Sequence, residues 1–166
     1  PKNIYPKQRC SIGAELIIIK NQKTYNIKII DCHLEVKNFK NLDIDNIYFS
    51  SADDYRYMQI NTIMERFGYN STSNFIIAGD FNNSFKLIKY LIDIKKLKSS
   101  YKKWQNQDNN NNKNILISNI YHKLIDYIFY SSKSNLKLND LKFYYTTLSD
   151  HLPIIADFIL KDIEVI

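Results

Sequence analysis

At 166 residues, 45% of them hydrophobic and 14% aromatic, the chain is long enough for one hydrophobic core and too apolar for a disordered tail. No run approaches the ~18 consecutive apolar residues of a membrane span, and no secretory signal is visible. The net charge of +6 suits a polyanionic partner, yet a chain this rich in Ile, Asn, Lys and Tyr places lysine on any solvated face, so charge alone does not choose one.

Glu15–Ile19 and Tyr25–Asp31 read as two strands joined by the polar connection Lys20-Asn21-Gln22-Lys23. The second runs on into Cys32-His33-Leu34-Glu35. Cys10 and Cys32 show no metal-ligand spacing and lie in or beside strands. That predicts buried free thiols and a reducing, intracellular setting. Val36–Phe49 mixes charge and aromatics and reads as a long irregular loop. Ser51–Phe67 is the clearest helix: Ser51 and Asp54 resemble a capping box, Ile60, Ile63, Met64 and Phe67 fall on one stripe, and Gly68 follows as a stop. Asn74–Gly79 has no alternation, as in a strand buried on both faces. Ser84–Leu97 reads as a second helix, with Phe85, Ile88, Leu91 and Ile92 inward and Lys86, Lys89, Lys95 and Lys96 outward. Lys102–Asn114 is of low complexity, with an Asn-rich loop at about 105–114. Trp104 before it reads as an anchor and His122 after it as a surface residue. Leu124–Tyr130 and Pro153–Leu160 are the last strong strands. Strands alternating with helices indicate an α/β layered domain.

Four polar stations end or interrupt these apolar strands: His33, Asp80 with Asn82, Asp126, and Asp150 with His151. In an extended segment, residues two apart point the same way, so Asp80 and Asn82 would offer a carboxylate and an amide to one point. That pair suits a phosphate group: the carboxylate orients a water or a metal, and the amide donates to a phosphoryl oxygen. Taken alone, an Asp/Asn turn after a strand is the better explanation of the two residues. Asp126 inside an apolar strand is harder to dismiss, because a buried carboxylate needs a partner and His151 is the natural one.

His33-Leu34, Gly79-Asp80-Phe81-Asn82, Ile125-Asp126-Tyr127 and Ser149-Asp150-His151, in this order, resemble the motifs of the endonuclease/exonuclease/phosphatase superfamily. Members of this deoxyribonuclease I-like family are metal-dependent phosphodiesterases and phosphomonoesterases. The resemblance implies an α/β four-layer sandwich, two packed β-sheets flanked by helices. It further implies that residues 1–166 are the C-terminal portion of one such domain, with the N-terminal half missing. That half carries an early asparagine and a metal-binding glutamate, for which Glu15 and Glu35 are poor replacements. On this reading the isolated fragment is inactive and exposes one sheet face.

Carried over by motif, Asp80 orients or deprotonates the attacking water or assists the leaving group. Asn82 donates to the phosphate. His151 contacts the phosphate and pairs with Asp126, His33 donates to a phosphoryl oxygen, and Asp150 is the metal-side carboxylate. Hard oxygen ligands favour Mg²⁺ or Mn²⁺. Arg56 and Gln59, one turn apart as in several branches of the family, are expected to brace structure. Val36–Phe49 lies on the family's substrate side. His33-Leu34-Glu35 followed by Arg56 and Gln59 resembles the tyrosyl-DNA phosphodiesterase, deadenylase and neutral sphingomyelinase branches. Phe81 leads away from abasic-site endonucleases and inositol polyphosphate phosphatases. Positive charge and the lack of a lipid-docking segment favour nucleic acid over lipid as the phosphate-ester substrate. The alternative is a non-catalytic, degenerate binding module. Against it, each catalytic position these residues could hold carries the expected residue type.

Overall fold

The computed structural model describes residues 9–36, 40–44, 47–82, 85–101, 118–119 and 123–162. The chain begins with a hairpin of β1 (Ser11–Lys20) and β2 (Lys23–His33). Asn21 and Gln22 turn it with φ of 50° and 62°. Two consecutive left-handed residues give the turn twist that antiparallel strands need. β2 then pairs in parallel with β5 (Asn74–Asp80). A parallel pair requires a crossover, here built from β3 (Lys40–Ile44), β4 (Ile47–Ser51) and α1 (Ala52–Arg66). After α2 (Phe85–Asp93) come β6 (Leu97–Ser99) and β7 (Asp126–Ser131), followed by a hairpin of β8 (Leu136–Phe143) and β9 (Ile154–Leu160). The main sheet has the order β1-β2-β5-β7-β6, and β3–β4 and β8–β9 form separate two-stranded ribbons.

Each face of the main sheet has its own cover. Ile30, Phe75, Ile77 and Phe129 pack with Ile60 and Met64 of α1 and Leu87 and Leu91 of α2. On the opposite face, Ile27, Ile76 and Tyr130 pack with Leu136 and Leu138, and Phe158 joins them. β5 is therefore apolar on both sides, as its unbroken run implies. Full burial of each large side chain such as Phe75 or Ile77 stabilises the fold by about 1.5–3 kcal/mol. α1 starts on a complete capping box between Ser51 and Asp54. It stops where Gly68, at φ 63°, lets Tyr69 N–H reach the Met64 carbonyl at 2.7 Å. Edge strand β1 is covered least: Ile12, Leu16, Ile17, Ile18 and Ile19 are all exposed. No helix among the described residues is long and apolar enough to cross a membrane.

Several sequence expectations shift. The segment read as an irregular loop holds β3 and β4, paired antiparallel with Leu42 opposite Phe49. The second helix is shorter than expected and its stripe is rotated. Leu87 and Leu91, four apart, are its buried residues, whereas Phe85 is 79% exposed and Ile92 is exposed. Lys96 adopts φ 58° just past the helix, so the chain leaves the helical path and Leu97 enters β6. Cys32 is buried, but Cys10 is exposed because it precedes the first pairing of β1; both are free. β8 escapes sequence reading because a bulge between Leu138 and Asp140 interrupts its alternation. Lys102–Asn114, Trp104 and His122 lie outside the described residues.

Gly79 adopts φ 129°, and a Cβ there would lie 1.9 Å from the Cys32 carbonyl oxygen. Gly79→Ala is expected to lower the free energy of urea unfolding by about 2–4 kcal/mol, and a loss under about 0.5 kcal/mol would contradict this packing.

Candidate active site

Strand register creates the site. His33 of β2 stands opposite Asp80 of β5, which stands opposite Asp126 of β7. Three polar side chains thus share one row at one end of the sheet. Alternation places them on the face opposite the helices, since Cys32, Ile77 and Tyr127 belong to the helix-covered cluster. His33 Nε2 lies 3.5 Å from Asp80 Oδ2.

A turn fixes the row from above. Phe81 is fully buried, edge-on to Phe129 and Tyr127 at 5.1 and 5.9 Å. Its N–H donates to the Ile125 carbonyl at 2.9 Å, while Leu34 N–H donates to the Asp80 carbonyl at 2.9 Å. Asn82 is not extended, as its spacing from Asp80 suggests, but left-handed at φ 49°. Its N–H donates to Asp80 Oδ1 at 2.7 Å, and its side-chain Nδ2 donates to the Leu34 carbonyl at 2.8 Å. Asparagine is among the residues that tolerate this conformation, so the chain can end β5 and stay bonded to β2. The side-chain amide has two N–H groups, and the bond to Leu34 uses one of them.

His151 comes from the segment before β9. It bridges to Asn119, and Leu152 N–H donates to the Ser118 carbonyl at 2.8 Å. Its Nδ1 lies 3.0 and 2.9 Å from the two oxygens of Asp126. A carboxylate only accepts, so Nδ1 carries the proton and Nε2 is left for a ligand. Ser118 is the residue that sequence reading misses. It is buried, and its Oγ accepts from Ile125 and Asp126 N–H at 2.9 and 3.0 Å. One serine thereby holds Asp126 through its side chain and, through its backbone, Leu152 directly after His151. A lone serine beside an Asn-rich stretch carries no sequence signal for that role.

Arg56 and Gln59 brace the chain after His33, as expected. Arg56 Nε donates to the Glu35 carbonyl at 2.6 Å and its Nη2 to the Val36 carbonyl at 3.3 Å, while Gln59 Oε1 accepts from Glu35 N–H at 3.1 Å. Asp80, Asp126 and His151 each offer a ligand atom within 4.8 Å of the others, a group that could hold a metal ion. Asp150 is exposed and outside that group; it acts on the site through its charge on His151. Of the sequence-derived residues, the structure brings His33, Asp80, Asn82, Asp126 and His151 together.

Burial pushes the Asp80 carboxyl up. The Asn82 N–H opposes that shift, the neighbouring Asp126 adds to it, and His33 and His151 counter it. Burial alone would lower the His151 imidazole, but its hydrogen bond to Asp126 and the charges of Asp126, Asp80 and Asp150 outweigh this and raise it.

No family model and no curated protein matches the sequence. Among solved structures, the human Nocturnin catalytic domain with bound sulfate anion is similar over 92% of this chain and 53% of that chain, with TM-score 0.62 and 18% identity. An endonuclease/exonuclease/phosphatase family protein from Bacteroides thetaiotaomicron aligns over 83% of this chain and 51% of its own, with TM-score 0.45 and 15% identity. The chain spans about half the length of both.

Two titrations follow from the shifts. The raised His151 pKa contributes stability that is fully present below the unfolded value of about 6.5 and lost as pH rises through the folded value. In metal-free protein, NMR titration of His151 should give a midpoint above that value, and Asp126→Asn should bring it to or below it; an unmoved midpoint would contradict the pairing. Asp80 has the same sign. Its contribution is present below about 3.9 and lost as pH rises through its higher folded value, so at neutral pH the ionised carboxylate is a cost. Asp80→Asn should raise the urea midpoint at neutral pH, and a lowered midpoint would contradict this.

Proposed function

From a chain that has the endonuclease/exonuclease/phosphatase fold, we propose a divalent-metal-dependent phosphoesterase that cleaves phosphate esters, with nucleic acid favoured as the substrate. One observation carries the reading: the Asp126–His151 pair stands beside Asp80 and His33 although the four come from three strands and a loop distant in sequence. Two half-buried carboxylates side by side at a sheet end cost stability, and a ligand that they grip supplies the compensation.

The residue roles follow from the contacts. His151 Nε2, with Nδ1 held by Asp126, faces a phosphoryl oxygen and donates to it when the ring is charged. His33 donates to the same group from the other side of Asp80. Asn82 supplies its remaining N–H. Asp80, made more basic by burial, orients the attacking water and accepts its proton. The carboxylates of Asp80 and Asp126 would hold a small, oxygen-preferring cation, Mg²⁺ or Mn²⁺, with Asp150 as the further metal-side carboxylate, and His151 Nε2 stays with the phosphate. Bound there, such a cation would supply charge neutralisation for the phosphoryl and leaving oxygens. Sulfate bound to the similar human catalytic domain is the kind of tetrahedral anion this reading expects here.

Positive net charge supports a polyanionic substrate, and two free thiols support a reducing, intracellular setting. A non-catalytic phosphate-binding module is the second reading. It is favoured by one observation: neither Glu15 nor Glu35 joins the metal-capable group, so the family's metal-binding glutamate has no counterpart among the described residues.

Hydrolysis of bis-p-nitrophenyl phosphate by the full-length protein separates the two. The enzyme reading expects Mg²⁺-dependent turnover, abolished by EDTA and cut roughly a thousandfold or more by Asp80→Ala. Absence of turnover, or turnover indifferent to EDTA and to Asp80→Ala, would overturn it.

A further inference from the structure

A cleft of about 510 Å³ opens beside His33, between one face of α1 and the start of β1. α1 contributes Tyr55, Met58, Thr62 and Arg66, residues spaced so that they share a helix face. Arg9 closes the cleft from the β1 side. Two arginines therefore line one cavity, and no carboxylate residue lines it among the described residues. Neither arginine forms an ion pair with a described residue. Arg9 Nε is moreover fully buried with no hydrogen-bond partner among them. A buried donor left unmet is costly, and a second arginine, exposed at the end of α1, lines the same cleft, so this arrangement suits an anion with several acceptor oxygens. Tyr55 and Met58 add apolar surface to the same cavity, as a sugar or base would require, and its volume lies in the range of small-ligand sites.

We propose that this cleft holds a second phosphate of the substrate, next to the one gripped at His33, so that the preferred substrates are nucleotides bearing two phosphates on one nucleoside unit, as within a nucleic acid chain. The inference rests on the phosphoesterase reading, because it takes His33 as the boundary shared by the two phosphate positions. Arg9 and Arg66 are then specificity-determining residues, each able to meet a phosphate with two parallel N–H bonds.

The test measures binding, not turnover. Calorimetric dissociation constants are taken for thymidine phosphorylated at both hydroxyls and for each of its monophosphates, using full-length protein and the Arg9→Gln/Arg66→Gln double variant. The bisphosphate should bind the wild type roughly tenfold or more tightly than either monophosphate, and the double variant should bring that ratio near one. Arg66→Lys, which keeps the charge and loses the planar fork, should give an intermediate ratio. Because the readout is a ratio within each protein, a general loss of folded fraction does not imitate it. A wild-type ratio near one, or a ratio unchanged in the double variant, overturns the inference. If it falls while Mg²⁺-dependent hydrolysis stands, the cleft assignment alone is wrong. If the ratio holds without hydrolysis, the cleft is an anion site and the enzymatic reading is wrong.

Discussion

The site depends on one short turn. Asp80, Phe81 and Asn82 leave β5 and are bonded at once to the ends of both neighbouring strands, through Leu34 on one side and Ile125 on the other. Phe81 drives this by burying a whole ring against Phe129 and Tyr127, and the polar residues on either side of it have little freedom left. Gly79 lets the backbone pass close to the Cys32 carbonyl, and Asn82 accepts the left-handed conformation that ends the strand. Hydrophobic burial of one residue thus sets the positions of two polar ones, a general way to hold reactive groups without relying on their own interactions.

Around that turn the electrostatics are deliberately unfavourable. Asp80 is buried enough to resist ionisation and lies near Asp126, whose charge makes matters worse. Two histidines partly relieve the crowding, and one of them, His151, is itself held protonated at Nδ1 by Asp126. A fold selected for stability alone would place apolar residues in such a row. The arrangement makes sense if a cation or a phosphate completes it, and the same logic extends to the neighbouring cleft, where the surplus charge is positive.

Much of this is legible in the chain. The helix at Ser51 announces itself through a capping box, an apolar stripe and a glycine stop, and all three form. The strand before Asp80 is readable because its unbroken apolar run, too short for a core helix, needs cover on both faces. The pairing of Asp126 with His151 follows from the cost of a half-buried carboxylate. What stays hidden has physical causes. β8 loses its alternation to a bulge, α2 gives way to a left-handed lysine that no residue type foretells, and Asn82 leaves the extended path that its spacing implies. Ser118 joins Asp126 to His151 from a stretch with no motif, because its work is done by backbone contacts and one hydroxyl. Arg56 and Gln59 read as braces, and their bonds to the backbone around Glu35 bear this out.

The central claim is that Asp80, Asp126 and His151 together form one site for a cation and a phosphate. The most direct measurement is a crystal structure of the full-length protein soaked with Mn²⁺ and a phosphorothioate diester, with the metal located by anomalous scattering. The account predicts an Mn²⁺ peak bounded by Asp80 or Asp126, with His33 and His151 on the phosphoryl oxygens and the Asp126–His151 bond intact. A metal elsewhere, or His151 turned away from Asp126, would contradict it.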